Sequence, residues 1–130
     1  MGYSNQPRIL LVEDEFFSQI IFKKVIENFR FCFDIAETAE KALEYTRNHE
    51  YKIIFVDLGL PDILGVELVK ALREQLKLKT PLVAVTAFSS EKIKHECYAS
   101  GFDYFIEKPF NEEKCLEVFQ KFLISSAVLA

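Results

Sequence analysis

Ile53-Ile54-Phe55-Val56-Asp57-Leu58-Gly59-Leu60-Pro61 is a solid apolar run that stops on a carboxylate and passes into a proline-marked loop. Side chains alternate between the two faces of a strand, so an uninterrupted apolar run belongs to a strand covered on both sides. Ile9-Leu10-Leu11-Val12 repeats the pattern and ends on Glu13-Asp14; Leu82-Val83-Ala84-Val85 repeats it again and ends on Thr86. Phe31 to Ala36 and Tyr104-Phe105-Ile106 read as two more strands, the last leading into Lys108-Pro109-Phe110.

Helical stretches lie between them. One from about Glu15 to Phe29 carries Phe17, Ile21, Val25 and Phe29 in steps of four, the expected core-facing stripe. Thr38 caps a second that reaches about His49. After Pro61 and Gly65 a third runs to about Leu76, with Leu68, Val69 and Leu72 inward. Ser89 or Ser90 caps a fourth, reaching about Ala99, and Gly101 stops it. Asn111, with Glu112 and Glu113 suited to the positive end of the dipole, opens a fifth whose inner face is Leu116, Phe119 and Leu123. Five strands alternating with five helices predict an α/β fold: a parallel sheet wrapped by helices on both faces.

The chain of 130 residues is the size of one domain, expected over 1–130 with a core from about Arg8 to Ile124. Leu, Ile, Val and Phe make up 47 of the 130 residues, too many for a disordered segment. Sixteen basic against twenty acidic residues give a net charge of −4, which argues against direct binding to nucleic acid. No apolar run is long enough to span a bilayer and no signal peptide is read at the start. Gln6 occupies the Ser/Thr position of a myristoylation motif after Gly2, so that reading fails. Cys32, Cys97 and Cys115 are odd in number and scattered; they read as buried hydrophobes in a reducing cytoplasm. His49 and His95 read as exposed helix residues.

In open α/β sheets the chemistry sits beyond the carboxyl ends of the strands. There the sequence puts Glu13, Asp14, Asp57, Thr86 and Lys108 at one rim. Clustered carboxylates repel one another and favour a divalent cation, and an all-oxygen set with room for water suits Mg²⁺. Such an ion would neutralise an incoming phosphoryl group and let one carboxylate act as nucleophile. Lys108 would add a point charge and Thr86 a hydrogen bond to the phosphoryl oxygens.

Glu13-Asp14, Asp57 through Pro61, Gly65, Thr86-Ala87 and Lys108-Pro109-Phe110, in that order, resemble a response-regulator receiver domain over nearly the whole chain. The resemblance implies a flavodoxin-like (βα)5 fold with strand order 2-1-3-4-5. It also implies that Asp57 is the phosphorylated residue and that Mg²⁺ is held by Asp14, by Asp57, by the Gly59 carbonyl and, mainly through water, by Glu13. Lys108 matches the phosphate-contacting lysine, Pro109 a proline after a cis bond, and Thr86 with Phe105 the switch pair. Phosphorylation would draw Thr86 in, let Phe105 turn inward and change the surface of helix four, strand five and helix five. The implied partner is a histidine kinase or histidine phosphotransfer protein in the cytoplasm, with the receiver a monomer or a weak phosphorylation-dependent dimer. The resemblance leaves open a free-standing regulator or a receiver from a hybrid histidine kinase.

Several positions depart from the family pattern. Glu13 stands for Asp, and Phe105 for Tyr, keeping the ring without its hydroxyl. Leu64 replaces an Asp or Asn, which removes a helix cap and bears on the loop geometry. Gly59 and Phe88 fall where residues affecting phosphoryl lifetime vary. Phe16 and Ile20, left over from the core stripe, either sit beside the rim and dock a helix bearing the phosphodonor histidine or, on a slightly rotated helix, tuck into the core edge.

Three other functions fit parts of this pattern. An aspartate-nucleophile phosphatase needs a second carboxylate two residues after its nucleophile as general acid, and that position is Gly59. A flavodoxin-like cofactor binder needs a Ser/Thr/Gly phosphate loop, whereas the first loop is Glu13-Asp14-Glu15. An interaction module that is never phosphorylated is permitted by the fold and composition, although all the key side-chain types of a phospho-acceptor are present. The expectation is therefore a phospho-acceptor that catalyses only its own aspartyl phosphorylation and dephosphorylation.

Overall fold

The computed structural model describes residues 7–123. Gly2, Gln6 and the expected core boundary at Ile124 lie outside them. The elements are β1 (Arg8–Val12), α1 (Phe16–Ile26), β2 (Cys32–Ala36), α2 (Ala39–Asn48), β3 (Ile53–Asp57), α3 (Gly65–Glu74), β4 (Leu82–Thr86), α4 (Glu91–Ser100), β5 (Tyr104–Glu107) and α5 (Glu112–Phe122). All pairings are parallel and the sheet order is β2-β1-β3-β4-β5. The predicted alternation and strand order are both observed.

Alternation along the central strands divides the core in two. Leu10, Val12, Ile54, Val56, Leu82 and Ala84 face α2, α3 and α4. Ile9, Leu11, Ile53, Phe55, Val83 and Val85 face α1 and α5. Every residue of β3 and β4 is buried, as their solid apolar runs require. The edge strand β2 is only half-buried except at Ala36, so Cys32 is half-buried while Cys97 and Cys115 are fully buried. The expectation of three buried thiols fails at Cys32 for that reason.

Two predicted stripes are corrected. Phe17 is 71% exposed and Ile21 is exposed, while Ser18, Phe22, Val25 and Ile26 form the buried face of α1. The inner face of α5 is Cys115, Val118 and Phe119, with Leu123 half-buried and Leu116 exposed. Helix starts follow the sequence closely: Thr38, Ser90 and Asn111 each accept a backbone N–H with the side chain. α1 ends earlier than expected because Asn28 and Phe29 bond three residues back, tightening its last turn.

Gly65 shows why a particular residue starts α3. A Cβ there would lie 2.7 Å from the Asp57 carbonyl oxygen and 2.9 Å from the Leu58 Cα. Only glycine lets α3 begin so close to the end of β3. Gly65 N–H donates to the Leu58 carbonyl, and Glu67 Oε2 accepts the Leu64 N–H at 3.3 Å. Those bonds take the place of the side-chain cap that Leu64 cannot supply.

Candidate functional site

The carboxyl ends of β1, β3, β4 and β5 bring the predicted rim residues together. Glu13 is fully buried, Asp57 is 8% exposed and Asp14 is exposed. One carboxylate oxygen from each lies within 4.8 Å of the others. Lys108 enters from beyond β5, with Nζ 2.6 Å from Glu13 Oε1 and 3.7 Å from Asp57 Oδ1. Thr86, at the end of β4, is buried, and its Oγ1 accepts the Phe88 N–H at 3.2 Å. Gly59 is exposed at the rim, and its N–H donates to Asp57 Oδ1 at 3.4 Å.

The first loop is held by its own side chains. Glu13 Oε2 accepts the Glu15 N–H, and Gln19 Nε2 donates to the Glu13 carbonyl at 2.7 Å. Glu15 caps α1 by accepting from Phe17 N, Ser18 N and Ser18 Oγ. The fifth loop is held differently. The Lys108–Pro109 peptide is cis, the Lys108 N–H donates to the Thr86 carbonyl at 2.8 Å, and Phe110 is buried against Phe22 and Phe55. Buried aromatic rings thus anchor the loop whose lysine reaches the carboxylates.

Charge is unevenly compensated here. Burial pushes the Glu13 carboxyl up to about 7; the Asp57 charge adds to this, and the Lys108 contact and the Glu15 N–H oppose it. Burial would lower the Lys108 ammonium, but Glu13 and Asp57 outweigh it and hold the pKa above its ordinary value. Glu13 Oε1 is buried without an aligned hydrogen bond, since the short Lys108 contact is an ion pair outside hydrogen-bond geometry. A buried oxygen lacking an aligned donor, beside two more carboxylates, is a donor set that fits a hard divalent cation.

On the α4 side, Phe105 is half-buried against the core and the Lys94 ammonium lies 5.7 Å from its ring centroid. Phe16 is 67% exposed beside Phe17, whereas Ile20 is half-buried. The exposed apolar pair at the start of α1 is therefore Phe16 and Phe17, not Phe16 and Ile20. His49 and His95 are exposed, as expected. Asp62 carries no mark in the sequence: its two carboxylate oxygens accept the Ala39 and Glu40 N–H groups at 3.0 Å, tying the β3–α3 loop to α2. Its partners are twenty-odd residues away, so no local signal marks it.

A doubly wound parallel sheet with three carboxylates, a hydroxyl and a lysine at one rim defines a CheY-like receiver. Residues 9–120 match the family model for the response regulator receiver domain, and the chain belongs to that family, the receiver domains of two-component signalling. It is 33% identical over 126 residues to the autoinducer 2 sensor kinase/phosphatase LuxQ of Vibrio parahaemolyticus, covering 94% of this chain but only 15% of that kinase. The chemotaxis response regulator CheY4 of Vibrio cholerae superposes with a TM-score of 0.82 at 27% identity, covering 91% of this chain and 99% of that one. The receiver domain of Ssk1 from Saccharomyces cerevisiae, solved with the phosphotransfer protein Ypd1, shares the fold: TM-score 0.83, 23% identity, 90% and 88% coverage. Among the described residues no helix is long and apolar enough to cross a membrane.

Proposed function

We propose that Asp57 accepts a phosphoryl group from a phosphohistidine of a histidine kinase or histidine phosphotransfer protein in the cytoplasm. The Lys108 ammonium at 3.7 Å from Asp57 Oδ1, beside buried Glu13, is the observation that carries this reading. An Asp57 carboxylate oxygen attacks phosphorus, the P–N bond breaks, and its electron pair leaves with the imidazole. Lys108 supplies a fixed positive charge to the transferred oxygens. Glu13, Asp14, Asp57 and the Gly59 carbonyl would hold Mg²⁺, which would supply neutralising charge for the incoming phosphoryl group.

The Thr86 hydroxyl then turns to the new phosphoryl oxygens, and Phe105 moves inward into the space this leaves. The surface of α4, β5 and α5 changes as a result: a local charge event biasing a two-state element. Phe16 and Phe17 offer the donor protein an apolar contact next to the acidic rim. Gly59 at the position of a general acid leaves the chain without turnover on other substrates, so its catalysis is confined to its own aspartyl group.

Asp57→Asn tests the assignment. Incubated with a radiolabelled small phosphodonor and Mg²⁺, the wild-type chain should take up acid-stable, base-labile label and the variant should take up none. Equal labelling of the two would overturn Asp57 as the acceptor.

A further inference from the structure

The first turn of α5 carries a charge of the wrong sign. Lys114 is the third helical residue, where the positive end of the dipole favours a carboxylate and where Glu or Gln would complete a capping box. Glu112 and Glu113 follow that rule and Lys114 breaks it. The cap does not need the ammonium, because Asn111 Oδ1 bonds the Lys114 backbone N–H at 2.7 Å. Instead Lys114 Nζ reaches back over the β5–α5 loop and donates to the Glu107 carbonyl at 2.8 Å and the Pro109 carbonyl at 3.3 Å.

Those carbonyls flank Lys108 along the chain, and the Lys108 N–H is itself bonded to the Thr86 carbonyl at 2.8 Å. The backbone bearing Lys108 is thus tied at three points, two of them by one side chain. A water could bridge the two carbonyls, but only the Lys114 side chain, covalently part of α5, anchors them to that helix. A residue that contradicts local helix preference while making such contacts marks a functional constraint.

We propose that Lys114 is a positioning residue for the phosphoryl-transfer site: it holds the β5–α5 loop so that the Lys108 ammonium stays aimed at Asp57. This rests on the reading of Asp57 as acceptor.

Three variants test it. Lys114→Gln removes the clamp without adding negative charge, Lys114→Glu also restores the preferred first-turn charge, and Lys114→Arg keeps the donors. The measurements are the initial rate of Mg²⁺-dependent phosphorylation by acetyl phosphate and the thermal midpoint. Both are taken at about 0.5 M salt, where steering by surface charge is screened. The Gln and Glu variants should each be about five-fold slower, the scale of one ordinary exposed hydrogen bond, and Arg should restore the rate. The Glu variant should melt at or above the wild-type temperature, a separation of rate from stability that a merely structural lysine would not produce.

Gln and Glu variants phosphorylated at the wild-type rate would overturn the inference alone. If the Glu variant fails to fold, the Gln and Arg pair decides. A wild-type chain that takes no phosphoryl group overturns the acceptor reading, and this inference with it.

Discussion

Glu13 shows how far one residue's surroundings can depart from its sequence context. It follows a strand in an acidic triplet, which reads as a solvated loop, yet it is fully buried against Lys108. With its carboxyl raised from an ordinary 4.5 to about 7, the folded chain binds more protons than the unfolded chain between those values. This contribution to stability is complete below about pH 4.5 and disappears as pH rises through about 7. A cation held by the same carboxylate must displace that proton, so Mg²⁺ affinity should weaken progressively as pH falls below about 7. Calorimetric Mg²⁺ titration across pH 5–8 checks the affinity, thermal unfolding over the same range checks the stability, and Glu13→Gln should flatten both dependences. The types and order of Glu13, Asp14, Asp57, Thr86 and Lys108 were legible because each stands at the end of an apolar run or within two residues of it. The burial of Glu13, the carbonyl contacts of Lys114 and the reach of Asp62 were not, since each depends on partners brought near only by the fold.

At the scale of elements, strands were easier to read than helix faces. A solid apolar run needs no phase, and β1, β3 and β4 fall where those runs stand. A helix face does need one. Steps of four residues advance about 40° past a full turn at 3.6 residues per turn, so Phe17, Ile21 and Val25 wind around α1 instead of holding one side, and Phe29 lies beyond its end. The buried set of Ser18, Phe22, Val25 and Ile26 mixes steps of three and four and keeps to the sheet. Phe22 meets Phe33, Phe55 and Phe110 edge-on at centroid distances of 5.2–6.1 Å. Phe22→Ala should therefore cost roughly 3–5 kcal/mol in urea unfolding. Phe17→Ala, at an exposed position, should stay within about 0.5 kcal/mol. A large cost at Phe17 would restore the four-step stripe as the core face.

For the whole molecule, the fold draws negative charge into one place. Asp57 is far from the adjacent pair Glu13 and Asp14 in an unfolded chain, but the three have oxygens within 4.8 Å of one another here, with one ammonium between two of them. Like charges this close oppose folding, and the opposition is greatest with no cation bound. A ligand that binds only the folded state stabilises it by RT ln(1 + [L]/Kd), about 2.7 kcal/mol at a hundredfold excess over Kd. For a domain of this size that raises the melting temperature by roughly 10 °C. Wild-type protein should show that rise when Mg²⁺ is added at constant ionic strength. Asp14→Asn, which removes an exposed carboxylate from the cluster, should melt no lower than wild type without Mg²⁺ and should lose most of the shift. Equal Mg²⁺ shifts in the two proteins would mean that the ion binds elsewhere. A lower melting temperature of the variant without Mg²⁺ would mean that Asp14 is held by contacts outweighing its repulsion from Glu13 and Asp57.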